Sequence, residues 1–262
     1  MPVRSAAFEE DDLVRAALVV NRVWPDVEAN RSAIVSAAHR AADGGAELVL
    51  FPEAALTGLI NNDDPAHDLP LAQSIPGPLT AELGAIAEVR GIHLAIGLLE
   101  RDGGRRYDSA VLLSPAGELA LHYRRIQPQW HGKRADPLVY CQGSELPKVQ
   151  TALGSMALLL CGDLFDDGPV QRVRALRPDC LLFPFVRCFG DGEWDQRRWD
   201  EEERAAYIER VRMVGVTTLM VNYLADKELE GGAFGGAMVV SGAGELLASW
   251  PLGKPGMLLV DV

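Results

Sequence analysis

Apolar runs alternate with amphipathic segments along most of the chain, and this alternation predicts an α/β fold. A continuous run of about four to eight apolar residues is typical of a strand buried on both faces, whereas apolar residues at a spacing of about 3.6 indicate a helix. Strands are predicted at residues 13–20, 47–51, 92–98, 108–113, 119–123, 157–161, 180–185, 217–223, 237–241 and 246–250. Helices are predicted at residues 26–43, 79–90, 170–176 and 201–213.

The order of these elements suggests two mixed β-sheets packed in layers, with helices on the outside. Helices alternate with strands first, and hairpins become frequent later. No linker rich in Ser, Gly and Pro divides the chain and no short repeat occurs, so we expect a single domain over residues 1–262. Two long connections, residues 61–77 and 187–200, are predicted to be loops, and loops of this length often form lids over a site.

Composition and charge argue against several classes of function. Hydrophobic residues make up 48% of the 262 residues, which is enough for a large core and excludes a disordered chain. The formal net charge of -12 argues against a nucleic-acid partner, because phosphate binding requires clustered Lys and Arg. No apolar run is long enough to cross a membrane and no signal-peptide pattern is present, so we expect a cytoplasmic protein without a membrane partner.

The cysteines do not follow the pattern of a metal site or of a dense disulfide framework. Cys141, Cys161, Cys180 and Cys188 include no C-x-x-C pair. We therefore expect no bound metal. Cys161 and Cys180 adjoin apolar runs, where a cysteine usually behaves as a small buried hydrophobe.

Three predicted strands end abruptly in a reactive side chain: Glu53, Arg125 and Cys161. Groups at strand ends can converge in one crevice of a sheet protein. Together they form a coherent set, because a thiolate can attack an amide or nitrile carbon, a carboxylate can transfer protons and a fixed cation can stabilise the developing negative charge. Taken singly, each has a structural alternative as a turn cap, a surface charge or a core residue.

The stretches that carry these residues resemble motifs of the nitrilase, or carbon–nitrogen hydrolase, superfamily. The similar stretches are FPEAALTG at 51–58 (glutamate motif), YRRI at 123–126 (lysine motif), CGDLF at 161–165 (cysteine motif), and VN at 221–222 and GGAMVV at 235–240 (final strands). Their order and spacing agree with the family pattern from about residue 15 to residue 262. The resemblance therefore covers nearly the whole chain.

This resemblance implies an αββα sandwich and a catalytic triad of Cys, Glu and Lys that needs no cofactor. By position, Cys161 would be the nucleophile that forms a thioester-like acyl-enzyme, and Glu53 would be the general base. The position of the lysine is occupied by Arg125. The backbone N–H after Cys161 would help to hold the oxyanion. Family members act on small molecules and usually form homodimers or larger homo-oligomers, so we expect the same here.

The chain departs from the family pattern around this triad. Arginine stays protonated at any usable pH, so Arg125 can stabilise an oxyanion but cannot shuttle a proton. The loop at 127–136 lacks the second glutamate that the family often has; its Lys133 either supplies an ammonium group to the site or is a solvated charge. Trp130 in this loop either lines a pocket or packs the loop. Gly162 replaces the aromatic residue or Asn that commonly follows the nucleophile, which suggests a differently shaped pocket.

The favoured hypothesis is a hydrolase that cleaves the C–N bond of a small linear amide or an N-carbamoyl compound. Nitriles are disfavoured only by analogy, because amides and carbamoyl compounds are the commoner substrates of short superfamily members. Two alternatives stay open. The altered lysine position and the missing second glutamate also fit an impaired or non-catalytic homologue that binds a ligand or partner. An acyltransferase would use the same acyl-enzyme with an amine in place of water.

Overall fold

The computed structural model describes residues 13–190, 193–229 and 232–262. The strands are β1 (Arg15–Val20), β2 (Arg22–Val23), β3 (Leu48–Leu50), β4 (His93–Asp102), β5 (Arg105–Leu113), β6 (Leu119–Arg124), β7 (Lys148–Thr151), β8 (Gly154–Leu158), β9 (Cys180–Phe185), β10 (Thr217–Asn222), β11 (Leu224–Ala225), β12 (Gly235–Val240), β13 (Leu246–Leu252) and β14 (Gly256–Asp261). The helices are α1 (Val27–Asp43), α2 (Pro65–Leu71), α3 (Pro78–Arg90), α4 (Asp167–Leu176), α5 (Gln196–Arg198) and α6 (Arg204–Val214).

The longer strands form two mixed sheets of 6 strands each, as predicted. The first sheet has the order β14-β1-β3-β4-β5-β6, and the second, taken from its β7 edge, has the order β7-β8-β9-β10-β12-β13. In both sheets the successive pairings are antiparallel, parallel, parallel, antiparallel and antiparallel. The two sheets therefore repeat one pattern of strand directions, although no repeat is visible in the sequence.

The sheets and helices form four layers, which confirms the expected αββα sandwich. On the outer face of the first sheet, Val49 and Ile96 pack against Ile34 of α1 and Leu83 of α3. The opposite face of this sheet shares one apolar cluster with the second sheet and with the buried sides of α4 and α6. Burial of these faces is the main force that holds the layers together. Within the described part of the chain, no helix is long and apolar enough to span a membrane.

Capping residues explain where the first helices begin and end. The Asp26 side chain accepts hydrogen bonds from the backbone N–H groups of Glu28 (3.0 Å) and Ala29 (3.1 Å), which otherwise lack partners at the start of α1. Helix α3 begins with Pro78, whose fixed φ suits the first helical position, and ends at Gly91 in the left-handed conformation. The predicted helices at 26–43 and 79–90 are thus confirmed to within one residue at each end.

The two segments predicted as lid loops contain helical structure instead. Residues 61–77 include α2, and Asp68 on this helix is fully buried in an ion pair with Arg106 of β5 (3.0 Å). A buried pair of this kind fixes the segment against the first sheet, which is why the prediction of a loop is wrong here. Residues 187–200 include α5, which a π-helical segment, Trp199–Glu203, joins to α6. Residues 191 and 192 of this predicted loop lie outside the described residues.

Other boundaries differ where local polar contacts override the apolar pattern. Strand β8 ends at Leu158, so the predicted strand at 157–161 extends too far, and a 3₁₀ turn begins at Cys161. The helix predicted at 201–213 begins at Arg204, after the π-helical segment. Strands β7 and β14 were not predicted. Both lie at sheet edges. Strand β7 contains a single apolar residue, Val149, whereas β14 contains a run of four at 257–260 that the prediction overlooked.

Gly97 in the middle of β4 allows the segment that follows β3 to approach the sheet closely. A Cβ atom at this position would lie 2.5 Å from the Cα atom of Glu53 and 2.7 Å from the carbonyl oxygen of Pro52. Backbone hydrogen bonds between Gly97 N–H and the Pro52 carbonyl (3.0 Å) and between Ala55 N–H and the Gly97 carbonyl (3.0 Å) fix this approach. The main chain at Glu53 is therefore fixed against β4.

Gly97→Ala should accordingly destabilise the protein by about 1–3 kcal/mol, the usual cost of forcing a methyl group into packed surroundings. The measurement is the free energy of unfolding in urea. Gly104→Ala is the matched control, because a Cβ atom at Gly104 meets no atom within 4 Å. The control should change stability by less than about 0.5 kcal/mol. Equal effects of the two substitutions would contradict the close approach at Gly97.

Candidate active site

The structure brings Glu53 and Arg125 into direct contact. Glu53 follows β3, and Arg125 follows the last residue of β6. Arg125 Nη1 donates to Glu53 Oε1 at 3.0 Å and to Asp108 Oδ2 at 3.2 Å. The three residues are at most 3% exposed, so a guanidinium and two carboxyl groups share one buried space.

Asp108 is a member of this cluster that the sequence reasoning missed. It lies on β5, where Ala110 and Leu112 point into the cluster between the sheets, so the alternation of a strand turns Asp108 the same way. Pairing of β5 with β6 also sets it opposite Arg125, whose backbone N–H donates to the Asp108 carbonyl at 2.8 Å. In the sequence, Asp108 stands at the same alternate positions as Ala110 and Leu112. An acidic residue on the buried face of a strand is the pattern that could have identified it.

The surroundings of Glu53 favour its protonated form. Burial raises the pKa of Glu53 well above its ordinary value, and the negative charges of Asp108 and Cys161 add to this effect. Arg125 opposes the shift only in part. Glu53 Oε2 and Asp108 Oδ1, the oxygens that do not contact Arg125, are buried and accept no hydrogen bond from the other described residues. A hydrogen bond between the side chains of Glu53 and Asp108 also contributes to the raised pKa of Glu53.

Arg125 remains a fixed cation in these surroundings. Burial alone would lower the pKa of Arg125, but the charges of Cys161, Glu53 and Asp108 outweigh burial and raise it. Its second terminal nitrogen, Nη2, donates to Gln127 Oε1 at 2.9 Å. The guanidinium is therefore held from two sides and can contribute charge and hydrogen bonds, but no proton.

Asp163 fixes the relative positions of the segments that carry Arg125 and Cys161. It is fully buried and accepts four hydrogen bonds. Its donors are Tyr123 Oη (2.6 Å) and the backbone N–H groups of Ile126 (3.1 Å), Gln127 (2.8 Å) and Leu160 (3.2 Å). Three of these donors lie in or after β6 of the first sheet and one follows β8 of the second. The aspartate of the CGDLF stretch thus joins the two sheets at the site.

Cys161 lies at the junction between β8 and the 3₁₀ turn, with its backbone in the left-handed region at φ 42°. A residue other than glycine rarely adopts this conformation, and such strain is typical of side chains held in a functional position. The side chain is partly buried, and Sγ donates to the Val186 carbonyl at 3.4 Å. A thiolate at Cys161 would raise the pKa of both Glu53 and Arg125. The next residue, Gly162, lies against the Arg125 guanidinium, so the three sequence-predicted residues share one region.

An open cleft of about 900 Å³ borders this region. Arg125 and Gly162 form part of its wall, together with Gln127, Gln129, Phe165, Asp166, Asp167 and Arg210. Polar side chains dominate this wall. A ligand that enters here would meet amide and carboxylate groups and the guanidinium groups of Arg125 and Arg210.

The remaining sequence candidates lie outside the charged cluster. Lys133 is exposed, in a segment held by hydrogen bonds from Gly132 N–H and Arg134 N–H to Asp63 (2.8 and 3.1 Å). Trp130 is buried and packs in a small apolar cluster that includes Ala54, the residue after Glu53. Its position therefore supports the segment that carries Glu53 through packing.

The chain is similar in sequence to known proteins. A sequence model of the carbon–nitrogen hydrolase family matches residues 15–262. The chain is 33% identical to an aliphatic nitrilase of Sinorhizobium fredii over 164 residues, which is 57% of this chain and 51% of that protein. It is 25% identical to nitrilase 2 of Arabidopsis thaliana over 209 residues, which is 73% of this chain and 59% of that protein. The chain thus spans about half the length of these curated relatives.

Similar solved structures extend over almost the whole chain. An amidase from a Nesterenkonia species has a TM-score of 0.76 and 26% identity, with 95% of this chain and 90% of that chain covered. A carbon–nitrogen hydrolase from Helicobacter pylori has a TM-score of 0.81 at 18% identity, with coverage of 95% and 89%, and so shares the fold.

The raised pKa of Glu53 predicts a dependence of stability on pH. Above the ordinary value of 4.5 the unfolded chain loses this proton before the folded protein does, so Glu53 reduces the free energy of unfolding as pH rises towards its folded pKa. Glutamine cannot ionise and can still donate to Asp108. Glu53→Gln should therefore stabilise the protein relative to wild type, by an amount that grows as pH rises above 4.5, the ordinary pKa of the glutamate side chain.

Urea unfolding at several pH values measures this effect. Glu245→Gln is a suitable control, because Glu245 is exposed on a turn. A gain for Glu53→Gln that did not change with pH, or a loss at every pH, would contradict a protonated Glu53 in the folded state.

Proposed function

The chain belongs to the carbon–nitrogen hydrolase family, and on this premise we propose that it hydrolyses the C–N bond of a small linear amide or N-carbamoyl compound with Cys161 as nucleophile. The observation that carries the proposal is the buried contact of Glu53 with Arg125, close enough to Cys161 for their charges to interact. This arrangement supplies a nucleophile, a proton acceptor of raised pKa and a fixed cation in one place.

Similar structures support a small amide as the substrate. One variant of the Nesterenkonia amidase carries the acetamide moiety of fluoroacetamide on its active-site cysteine, and another binds butyramide. These facts concern that enzyme, which shares 26% of its residues with this chain. Transferred to this chain as a proposal, they favour a short aliphatic primary amide as substrate and a nucleophilic Cys161.

In the first half of the proposed reaction, Cys161 Sγ attacks the carbonyl carbon of the amide while its proton passes to Glu53, which must be ionised at that moment. A C–S bond forms, and the carbonyl oxygen becomes an oxyanion stabilised by Arg125 and by the Gly162 N–H. Glu53 then returns the proton to the leaving nitrogen, the C–N bond breaks, and ammonia departs.

In the second half, water attacks the thioester carbon and gives a proton to Glu53. The C–S bond breaks, the carboxylic acid is released, and the proton returns to the sulfur. The sum is amide plus water giving acid plus ammonia. Arg125 takes no part in the proton transfers, because its pKa keeps it charged throughout. Every proton therefore passes through Glu53.

The direct test measures ammonia release from a panel of short amides and N-carbamoyl amino acids. Cys161→Ala should lower kcat/KM by at least about 10³-fold, the scale of losing a catalytic nucleophile. Wild type incubated with substrate should show a mass increase equal to the acyl group on the peptide that contains Cys161. Cys188→Ala is the control and should retain activity.

Two results would overturn hydrolysis through Cys161. Equal activity of wild type and Cys161→Ala would exclude the nucleophile. Turnover only in the presence of an added amine such as hydroxylamine, with the amide of that amine as product, would identify an acyltransferase.

Asp108 should set the acid limb of the pH profile. Its charge is the second cause, after burial, that raises the pKa of Glu53, and kcat/KM requires the ionised form of Glu53. Asp108→Asn keeps an oxygen that can accept from Arg125 but removes the charge, so the pKa of Glu53 should fall. The acid limb of kcat/KM should then move to lower pH.

The matched control is Asp102→Asn, because Asp102 is 61% exposed and pairs with Arg124 at the surface. Its pH profile should coincide with that of wild type. An unchanged acid limb in Asp108→Asn, with activity retained, would show that Asp108 does not control the proton on Glu53.

A further inference from the structure

We propose that Gly162 is the residue that allows this site to hold a guanidinium where the family has an ammonium group, so that Arg125, Gly162 and Gln127 form one fitted set. This inference deepens the proposed function and rests on it, because Arg125 is taken as the cation of that reaction. It makes Gly162 a positioning residue that acts through Arg125. Because Gly162 has no side chain, it leaves space for the Arg125 guanidinium.

The contacts of Gly162 show what a side chain would meet. A Cβ atom built on Gly162 would overlap Arg125 Nη2 and would lie 2.7 Å from Gln127 Oε1. The φ angle of Gly162 is not positive, so an alanine could adopt the same backbone conformation. The need for glycine thus comes from the neighbouring guanidinium and amide and has no local conformational cause.

Neither neighbour is free to move aside. Arg125 Nη1 is bound by Glu53 and Asp108, so the planar guanidinium cannot rotate without breaking buried ion pairs. Gln127 Oε1 accepts from Arg125 Nη2 at 2.9 Å and from Gln129 N–H at 2.8 Å. The Gln127 main chain is itself bonded to Asp163 (2.8 Å). A methyl group at position 162 must therefore displace the cation or the loop that holds it.

A lysine at position 125 would not create this conflict. Its side chain ends in one nitrogen, which can take the place of Nη1 between Glu53 and Asp108. No second nitrogen would then extend towards Gly162. Gln127 Oε1, held at present by Arg125 Nη2 and Gln129 N–H, would keep only the second donor, and the amide could turn away from position 162. A side chain at position 162 is consequently incompatible with arginine at 125 and compatible with lysine there. Arginine at 125 and glycine at 162, the two departures from the family pattern, therefore depend on each other.

The test is a double-mutant cycle of wild type, Gly162→Ala, Arg125→Lys and the combined variant. The measurements are kcat/KM for ammonia release, the rate of Cys161 alkylation by iodoacetamide across pH, and the melting temperature. Gly162→Ala alone should lower kcat/KM by about 10- to 100-fold through kcat, and should slow alkylation of Cys161 as the cation is displaced. In the Arg125→Lys background, the same change should alter both rates by less than about threefold.

Gly104→Ala serves as the control glycine, because it faces open space far from these contacts. It should leave all three measurements unchanged. Equal effects of Gly162→Ala in the two backgrounds, or no effect in either, would overturn the fitted set. If no variant and no wild type released ammonia from any substrate, the proposed function would fail. Alkylation and melting would then still decide the inference, since coupling in both supports it and additivity overturns it.

Discussion

The arrangement of the site depends on the burial of one positive charge between the sheets. Removing a guanidinium from water costs several kcal/mol unless charged or polar partners surround it. Arg125 has two such partners at Nη1, Glu53 and Asp108, and a third at Nη2, Gln127. The cluster then contains one carboxylate more than the cation can neutralise. Retention of a proton by Glu53 removes this excess, so the same burial that holds Arg125 also raises the pKa of Glu53.

The two sheets supply this cluster from separate parts of the chain, and their junction must be fixed to keep it together. Asp163 provides the junction through hydrogen bonds to the chain after β6 and to the chain before Cys161. On the other side, Gly97 allows the main chain at Glu53 to lie against β4. The reactive groups themselves need only extend from these fixed backbones. Rigid support of this kind is what reactive geometry requires.

The sequence predicted the layers and the strand ends because both follow from long apolar runs. The run before Glu53 is buried and forms β3, whereas the run before Cys161 is buried but is strand only as far as Leu158. The edge strand β7 has no such run, and the run at 257–260 in the edge strand β14 was overlooked. Helix α2 was missed because its stability comes from Asp68, buried against Arg106 of a distant strand. Contacts between residues so far apart in the chain leave no local pattern.

In the site, too, residues within short sequence motifs could be predicted, whereas contacts between distant parts of the chain could not. Glu53, Arg125 and Cys161 stand in short motifs and could be identified by position. Asp108 could be found only from the face of the strand on which it lies, and Asp163 stood within a recognised motif without an evident role. The spatial relation of Gly162 to Arg125 could not be read at all, since 37 positions separate the two residues in the sequence.

Arginine at the lysine position changes how protons are handled in this chain. A lysine can lose its proton when buried, so a site with lysine and glutamate has two groups that titrate. Here the cation is permanent, and in the proposed reaction Glu53 alone is left to accept and return protons. A lone proton carrier must be ionised when the sulfur attacks and protonated when the nitrogen leaves. Burial and Asp108 raise the pKa of Glu53 while Arg125 lowers it, and this opposition allows both forms to be reached within one cycle.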